Sequence, residues 1–359
     1  MYSLYIHIPF CRKKCSYCDF ASVSGRDSLI PSYLEAISKE MEKYSRFPIS
    51  TIFIGGGTPT LLSSSQFESL FKDIRKHFNC HRLSEITVEA NPESLDTEKL
   101  KTLKTLGVNR LSIGLQSFMD EELEFLGRVH DAKDFMKAYE SARHMDFANI
   151  NIDLIYGISN QTMLHWQRSL QSAVSIEPEH ISIYPLTIEE GTVFGDTNIT
   201  VDEDEQASMY EFSIDFLKSK GYNHYEISNW SKPGYKCRHN MTYWQNQEYI
   251  GIGVAAASYI KGFRKKNCSN VDEYLRLIEA GASPIEEYES IDSNRKISEE
   301  VILKLRCTNG LFLDKHMENR YGTIIERLAG KNLLEKDGQN IKLTRRGLLL
   351  ANQVMKEFI

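Results

Sequence analysis

The chain has 359 residues with 43 basic and 49 acidic side chains, and its formal net charge of −6 argues against a nucleic-acid binder held by bulk charge. Hydrophobic residues at 41% and charged residues at 26% are the composition of an ordinary soluble globular protein, long enough to bury a core without disulfide or metal staples. No apolar run approaches the roughly 18 residues of a transmembrane helix, and seven cysteines without a secretory signal predict a reducing, cytoplasmic setting.

From the N-terminus, short β-branched or aromatic runs alternate with stretches of helical spacing. LYIHI (4–8) precedes SYLEAISKEMEKY, TIFIGGG (51–57) precedes SQFESLFKDIRKHF, and EITVEAN (85–91) precedes DTEKLKTLKTLG. NRLSIGLQS (109–117) leads to AKDFMKAYESARHM, NINIDLIYG (149–157) to MLHWQRSLQSAV, and HISIYPLT (180–187) ends the series. Six such strands between helices that open on Ser, Asp or Thr predict an α/β fold with a parallel sheet. Polar residues at the strand ends (Glu89, Gln116, Asp153) fit an incomplete (β/α)6 TIM-like barrel with its function at the carboxyl ends of the strands. An open doubly wound sheet is the competing arrangement.

The barrel is assigned to residues 1–195. Residues 196–293, a helix and a mixed stretch carrying HNMTYW (239–244), are expected to complete its side. From 294 to 359 a helix, a short helix, a further helix and a hairpin turned on Asp337-Gly338 predict a winged-helix-like C-terminal module. In a net acidic chain a structural role for it is favoured over DNA binding.

Cys11, Cys15 and Cys18 place three thiols on one loop after the first strand. A structural zinc site needs four ligands, and no second CxxC is present; Cys80, Cys237, Cys268 and Cys307 are isolated. His7 is the one nearby residue that could complete such a site. Three thiolates on a cubane iron–sulfur cluster leave one iron open to a substrate or cofactor. Gly55, Gly56 and Gly57 follow a strand, where the missing Cβ permits either a tight turn or close approach to a ligand.

CxxxCxxC after a first strand, with GGGTP at 55–59, resembles the radical S-adenosylmethionine superfamily. The resemblance implies a [4Fe–4S] cluster on Cys11, Cys15 and Cys18, with the amino and carboxylate groups of S-adenosylmethionine chelating the unique iron. One-electron cleavage of the sulfonium would then yield a 5′-deoxyadenosyl radical. It further implies S-adenosylmethionine contacts from Tyr5, Tyr17, Gly56, Gly57, Thr58, Glu89, Gln116, Arg128 and Asp153. Within that set Tyr17 would lie near the adenine, the glycines near the ammonium group, and Arg128 on the carboxylate.

Further motifs extend over nearly the whole chain: YIHIPFC (5–11), EANPESL (89–95), RLSIGLQSF (110–118), LGRVH (126–130), KPGYKCRHNMTYW (232–244) and GIGVAAAS (251–258). Together they are similar to the oxygen-independent coproporphyrinogen III oxidase family. Its oxidases carry a fourth cysteine where this chain has Phe20, and a longer N-terminal extension. Both departures point to the HemW branch, regarded as haem chaperones and marked by HNxxYW. That resemblance implies haem contact through His239, Asn240, Tyr243 and Trp244, with imidazole as an iron ligand and aromatic rings against the porphyrin. Ala257 stands where the branch often has histidine, so no second imidazole is expected there. The implied partners are haem and an acceptor protein such as a respiratory cytochrome; oxidative decarboxylation of coproporphyrinogen III is the alternative activity.

Overall fold

The computed structural model describes residues 1–359. Six parallel strands run through its centre: β1 (Tyr2–Ile8), β2 (Ile49–Gly56), β3 (Glu85–Ala90), β4 (Arg110–Gln116), β5 (Ile150–Tyr156) and β6 (His180–Pro185). They lie side by side in sequence order. A doubly wound sheet reverses its order at a switch point; this one does not, so the partial barrel is the correct reading of the alternation.

Between the strands stand α1 (Ile30–Met41), α2 (Ser64–His77), α3 (Thr97–Thr105), α4 (Asp120–Phe125), α5 (Ala132–His144) and α6 (Met163–Ser175). Side-chain caps start four of them: Ser63 and Asp131 in reciprocal capping boxes, Asp96 on Lys99 N–H, and Thr162 on His165 N–H. Period-two alternation then sorts the strand residues. Leu4, Ile6, Ile8, Ile52, Ile54, Val88, Leu111, Ile113, Ile152, Leu154, Ile181 and Ile183 belong to the main apolar core of 57 buried residues beneath the helices. The intervening positions (Tyr5, Phe53, Glu89, Arg110, Ser112, Asn151, Asp153, Ser182) line a polar lumen.

Residues after α7 (Glu203–Ser219) extend the sheet at both edges. Strands β7 (Asn223–Glu226) and β8 (Asn229–Ser231) continue from β6. Helix α8 (Arg238–Trp244) follows, and β9 (Tyr249–Ile252) returns to pair with β1 in parallel. Strands β10 (Ala257–Ile260) and β11 (Phe263–Asn267), helix α9 (Val271–Glu279) and β12 (Ile285–Ser290) complete a sheet of twelve strands.

The C-terminal elements hold a second core of 15 buried residues, from Val301 to Phe358. It is built from α10 (Ser293–Leu305), β13 (Leu311–Phe312), α11 (Lys315–Gly330), the hairpin β14 (Leu334–Asp337) and β15 (Asn340–Leu343), and helices α12 (Arg345–Leu349) and α13 (Ala351–Lys356). The expected short helix and the one after it are a single element, α11. Gly322 lies in its middle with open space where a Cβ would stand, so the glycine weakens the helix without breaking it. No helix is long and apolar enough to cross a membrane.

Candidate cofactor site at the strand carboxyl ends

The cysteine loop leaves β1 and is closed at its base. Phe10–Cys11 pairs in parallel with Val23–Ser24, and Val23 N–H donates to Pro9 O at 2.7 Å. Its far side is tied down by Ser16, whose N–H donates to Leu126 O (3.0 Å) and whose carbonyl accepts from Phe194 N–H (2.9 Å). His7 holds it from below: Nε2 bonds Ala21 O at 2.8 Å, and Nδ1 bonds the Tyr5 hydroxyl at 3.0 Å. A carbonyl can only accept, so Nε2 carries the proton and Tyr5 O–H donates to Nδ1. With both nitrogens engaged, His7 offers nothing to a metal.

All three cysteines line one pocket of about 340 Å³, together with Tyr17, Gly56, Gly57, Thr58, Glu89, Gln116, Arg128 and Asp153. No three His, Cys, Asp or Glu side chains converge on a point where a single ion could sit. A cubane does not require such convergence, because each thiolate binds a different iron. The surrounding donors fit such a group. Arg128 Nη1 lies 3.4 Å from Cys15 Sγ, and Thr58 Oγ1 lies 3.6 Å from Cys11 Sγ. At Gly57 a Cβ would stand 2.7 Å from Phe10 O and 3.0 Å from Cys11 Sγ, so only glycine lets the two loops meet.

Gly56 N–H donates to Glu89 Oε2 at 3.0 Å. Burial, with Asp153 adding like charge, pushes the Glu89 carboxyl up to about 7. Burial also raises Asp153, against hydrogen bonds from Ser112 Oγ (3.0 Å) and Asn151 Nδ2 (2.8 Å). Gln116 ends β4 at φ 73, beside a register shift against β5. Such left-handed backbone in a non-glycine residue is strain of the kind that collects at binding sites. Tyr5 stands lower, on the lumen wall.

Asn91 was missed from sequence, although it is the polar residue that follows β3. Its Nδ2 donates to Thr58 Oγ1 (2.9 Å) and its Oδ1 accepts from Arg128 Nη2 (2.8 Å), joining two motifs far apart in the chain.

The HNxxYW residues do not gather on an open face. Helix α8 lies against the amino ends of the strands, its first N–H groups, Arg238 and His239, both 2.9 Å from the Glu85 carboxylate. His239 is 1% exposed, and its Nδ1 lies 2.9 Å from Thr51 Oγ1. Thr51 O–H is given to Ser3, so Nδ1 donates and Nε2 accepts from Tyr243 Oη at 2.9 Å. Burial lowers the ring to about 3, so it is neutral. His239, Asn240 and Tyr243 line the lumen, whose cavity of about 200 Å³ is below the roughly 300–1,000 Å³ of small-molecule sites. Trp244 points elsewhere, its ring centroid 4.4 Å from the Arg306 guanidinium. As folded, both ring nitrogens of His239 are engaged and Trp244 is packed against Arg306 of the C-terminal module.

Residues 5–173 match the radical SAM superfamily model and residues 291–350 the HemN C-terminal domain. The heme chaperone HemW of Bacillus subtilis is 40% identical over 100% of this chain and 99% of its own length. The chain belongs to the HemW family. Its relative from Lactococcus lactis is 38% identical over 99% of this chain and 97% of that one, and the one from Mycobacterium tuberculosis (strain H37Rv) 32% over 100% and 95%. Among solved structures, coproporphyrinogen III oxidase (HemN) from Escherichia coli superposes with a TM-score of 0.87 at 24% identity, covering 99% of this chain and 89% of that one. The shared fold includes the partial barrel, while the HemW family membership rests on the sequence identities.

Proposed function

We propose that the protein is a haem chaperone: it binds haem and passes it to an acceptor protein, and its cysteine loop carries a [4Fe–4S] cluster with S-adenosylmethionine at the open iron. The observation that carries the reading is the convergence, in a HemW-family chain, of Cys11, Cys15 and Cys18 with Gly56, Glu89, Gln116, Arg128 and Asp153 on one pocket. The cluster, when bound, supplies a single electron to the sulfonium. This chain's residues do the rest by binding and orientation. Arg128, held by Asn91 and the Gly114 carbonyl (3.0 Å), would meet the cofactor carboxylate as a rigid planar donor. Glu89 would accept from the ammonium group, and Asp153 and Gln116 would take ribose hydroxyls. Tyr17 closes the adenine side and Thr58 supports Cys11.

Anaerobic reconstitution followed by counting of iron, sulfide and bound haem tests the assignment. Four irons with one haem per chain, the irons lost in Cys15→Ala and retained in Cys237→Ala, is the expected result. Absence of haem binding, or a full cluster in Cys15→Ala, contradicts it.

A further inference from the structure

A line of buried polar side chains leads away from the cofactor pocket behind Asp153. Asn151 Nδ2 donates to Asp153 Oδ1 (2.8 Å) and to Ser112 Oγ (2.7 Å), and Ser112 Oγ donates to Asp153 Oδ2 (3.0 Å). On its other side, Asn151 Oδ1 faces His180 Nδ1 at 2.5 Å and Ser182 Oγ at 3.0 Å. His180 Nε2 lies 2.7 Å from Tyr225 Oη, and that oxygen accepts the N–H of Cys237 at 3.3 Å. Cys237 is the residue before α8, so the line ends where the helix carrying HNMTYW begins. His180, Asn151 and Tyr225 are all buried, and none of the three lines the cofactor pocket.

The carboxylate sets the direction of every link. Asp153 can only accept, so Asn151 must present its NH2 group to it, and Asn151 Oδ1 is left to accept from His180 Nδ1–H and Ser182 O–H. Burial, with the Arg110 guanidinium adding like charge, holds His180 well below its ordinary range, so the ring is neutral. A neutral ring protonated at Nδ1 accepts at Nε2, and Tyr225 O–H is the donor there. The Tyr225 oxygen is then free to take Cys237 N–H. All the donors point toward Asp153, and hydrogen bonds aligned in this way polarise one another. Turning the Asn151 amide over would set its NH2 against the His180 N–H and its carbonyl against the carboxylate.

We infer that His180 is a positioning residue for S-adenosylmethionine: through Asn151 it holds the Asp153 carboxylate as an oriented acceptor for the ribose hydroxyls, and Tyr225 fixes the tautomer with which it does so. The inference rests on the reading of Asp153 as a ribose contact. Burial opposes the charge on Asp153. A buried carboxylate stripped of oriented donors takes up a proton, and its O–H then competes with the ribose for the role of donor. His180 does not reach the pocket, so its effect on the cofactor passes through Asn151.

The test is a calorimetric titration of the anaerobically reconstituted full chain with S-adenosylmethionine and with an analogue lacking both ribose hydroxyls, cluster iron being counted in parallel. The readout is the ratio of the two affinities. General loosening of the pocket lowers both affinities together, whereas a misdirected Asp153 lowers only the first. His180→Phe should cut the ratio about tenfold, as expected for losing one hydrogen bond to a charged acceptor, with cluster iron unchanged. His180→Asn, whose amide N–H can stand where Nδ1 stands, should keep the ratio within about twofold of the parent. Tyr225→Phe keeps the aromatic ring but frees the tautomer; it should cut the ratio about threefold, and it decides the matter where His180→Phe does not fold. A parent-like ratio in folded His180→Phe or in Tyr225→Phe, or equal losses in His180→Phe and His180→Asn, would overturn the positioning role while leaving the cofactor reading standing. A parent ratio near one would overturn the ribose contact and the inference with it. A parent chain that binds no S-adenosylmethionine would overturn the cofactor reading itself.

Discussion

Glu89 has a single backbone donor, Gly56 N–H, in a place where burial and Asp153 both disfavour its charge, so its carboxyl is pushed up to about 7. The folded chain then holds more protons than the unfolded chain from about pH 4.5 to 7, and this residue's contribution to stability falls as pH rises through that window. A cofactor ammonium reverses the balance, because it favours the ionised form. S-adenosylmethionine affinity should therefore weaken about tenfold per unit as pH drops below the folded value. Glu89→Gln should bind more weakly at pH 8 and lose that slope, read by calorimetric titration across pH 6–8.5. At Gly57 the constraint is steric: an added methyl meets a backbone carbonyl and a cluster thiol together. Gly57→Ala should lower reconstituted iron while Gly338→Ala, at a solvent-open hairpin turn, should not; equal iron in both would remove the case for close approach.

Helix α8 was read from sequence only as part of a mixed stretch, and its setting was hidden as well. HNMTYW has helical length and mixed polarity, but the partners of His239 are Thr51, 188 positions away, and Glu85, 154 away. Nothing local in the sequence shows that His239 hydrogen-bonds to partners so far away in the chain. The six strands and their helices were legible because strand alternation and helix caps are local signals. So were the glycines and cysteines that now share a pocket. The parallel return of β9 onto β1 was not, since a four-residue strand pairs across about two thirds of the chain. Removing the seat of α8 should be costly. Glu85→Ala deletes the acceptor of two N–H groups and should destabilise the chain by about 2 kcal/mol. Chemical denaturation checks this, and a change within 0.5 kcal/mol would show that α8 is held by other contacts.

At the scale of the molecule, the polar lumen separates two ends of one barrel. The carboxyl ends carry the cofactor pocket and an adjoining cleft; the amino ends are stoppered by α8. That stopper is also where the C-terminal module joins, through Arg306 over Trp244 and the bridge between Glu226 and Cys307. The fold is shared with an oxidase, so fold alone does not choose between decarboxylating a porphyrinogen and carrying a haem. Phe20, at the rim of both cavities, supplies exposed apolar surface beside the cysteine loop. The decisive measurement is an anaerobic incubation of the reconstituted chain with coproporphyrinogen III, S-adenosylmethionine and a low-potential reductant, run beside a haem-transfer assay to an apo-cytochrome. The account predicts haem bound one to one and passed on, with no vinyl product. Sustained, S-adenosylmethionine-dependent formation of protoporphyrinogen IX would contradict it.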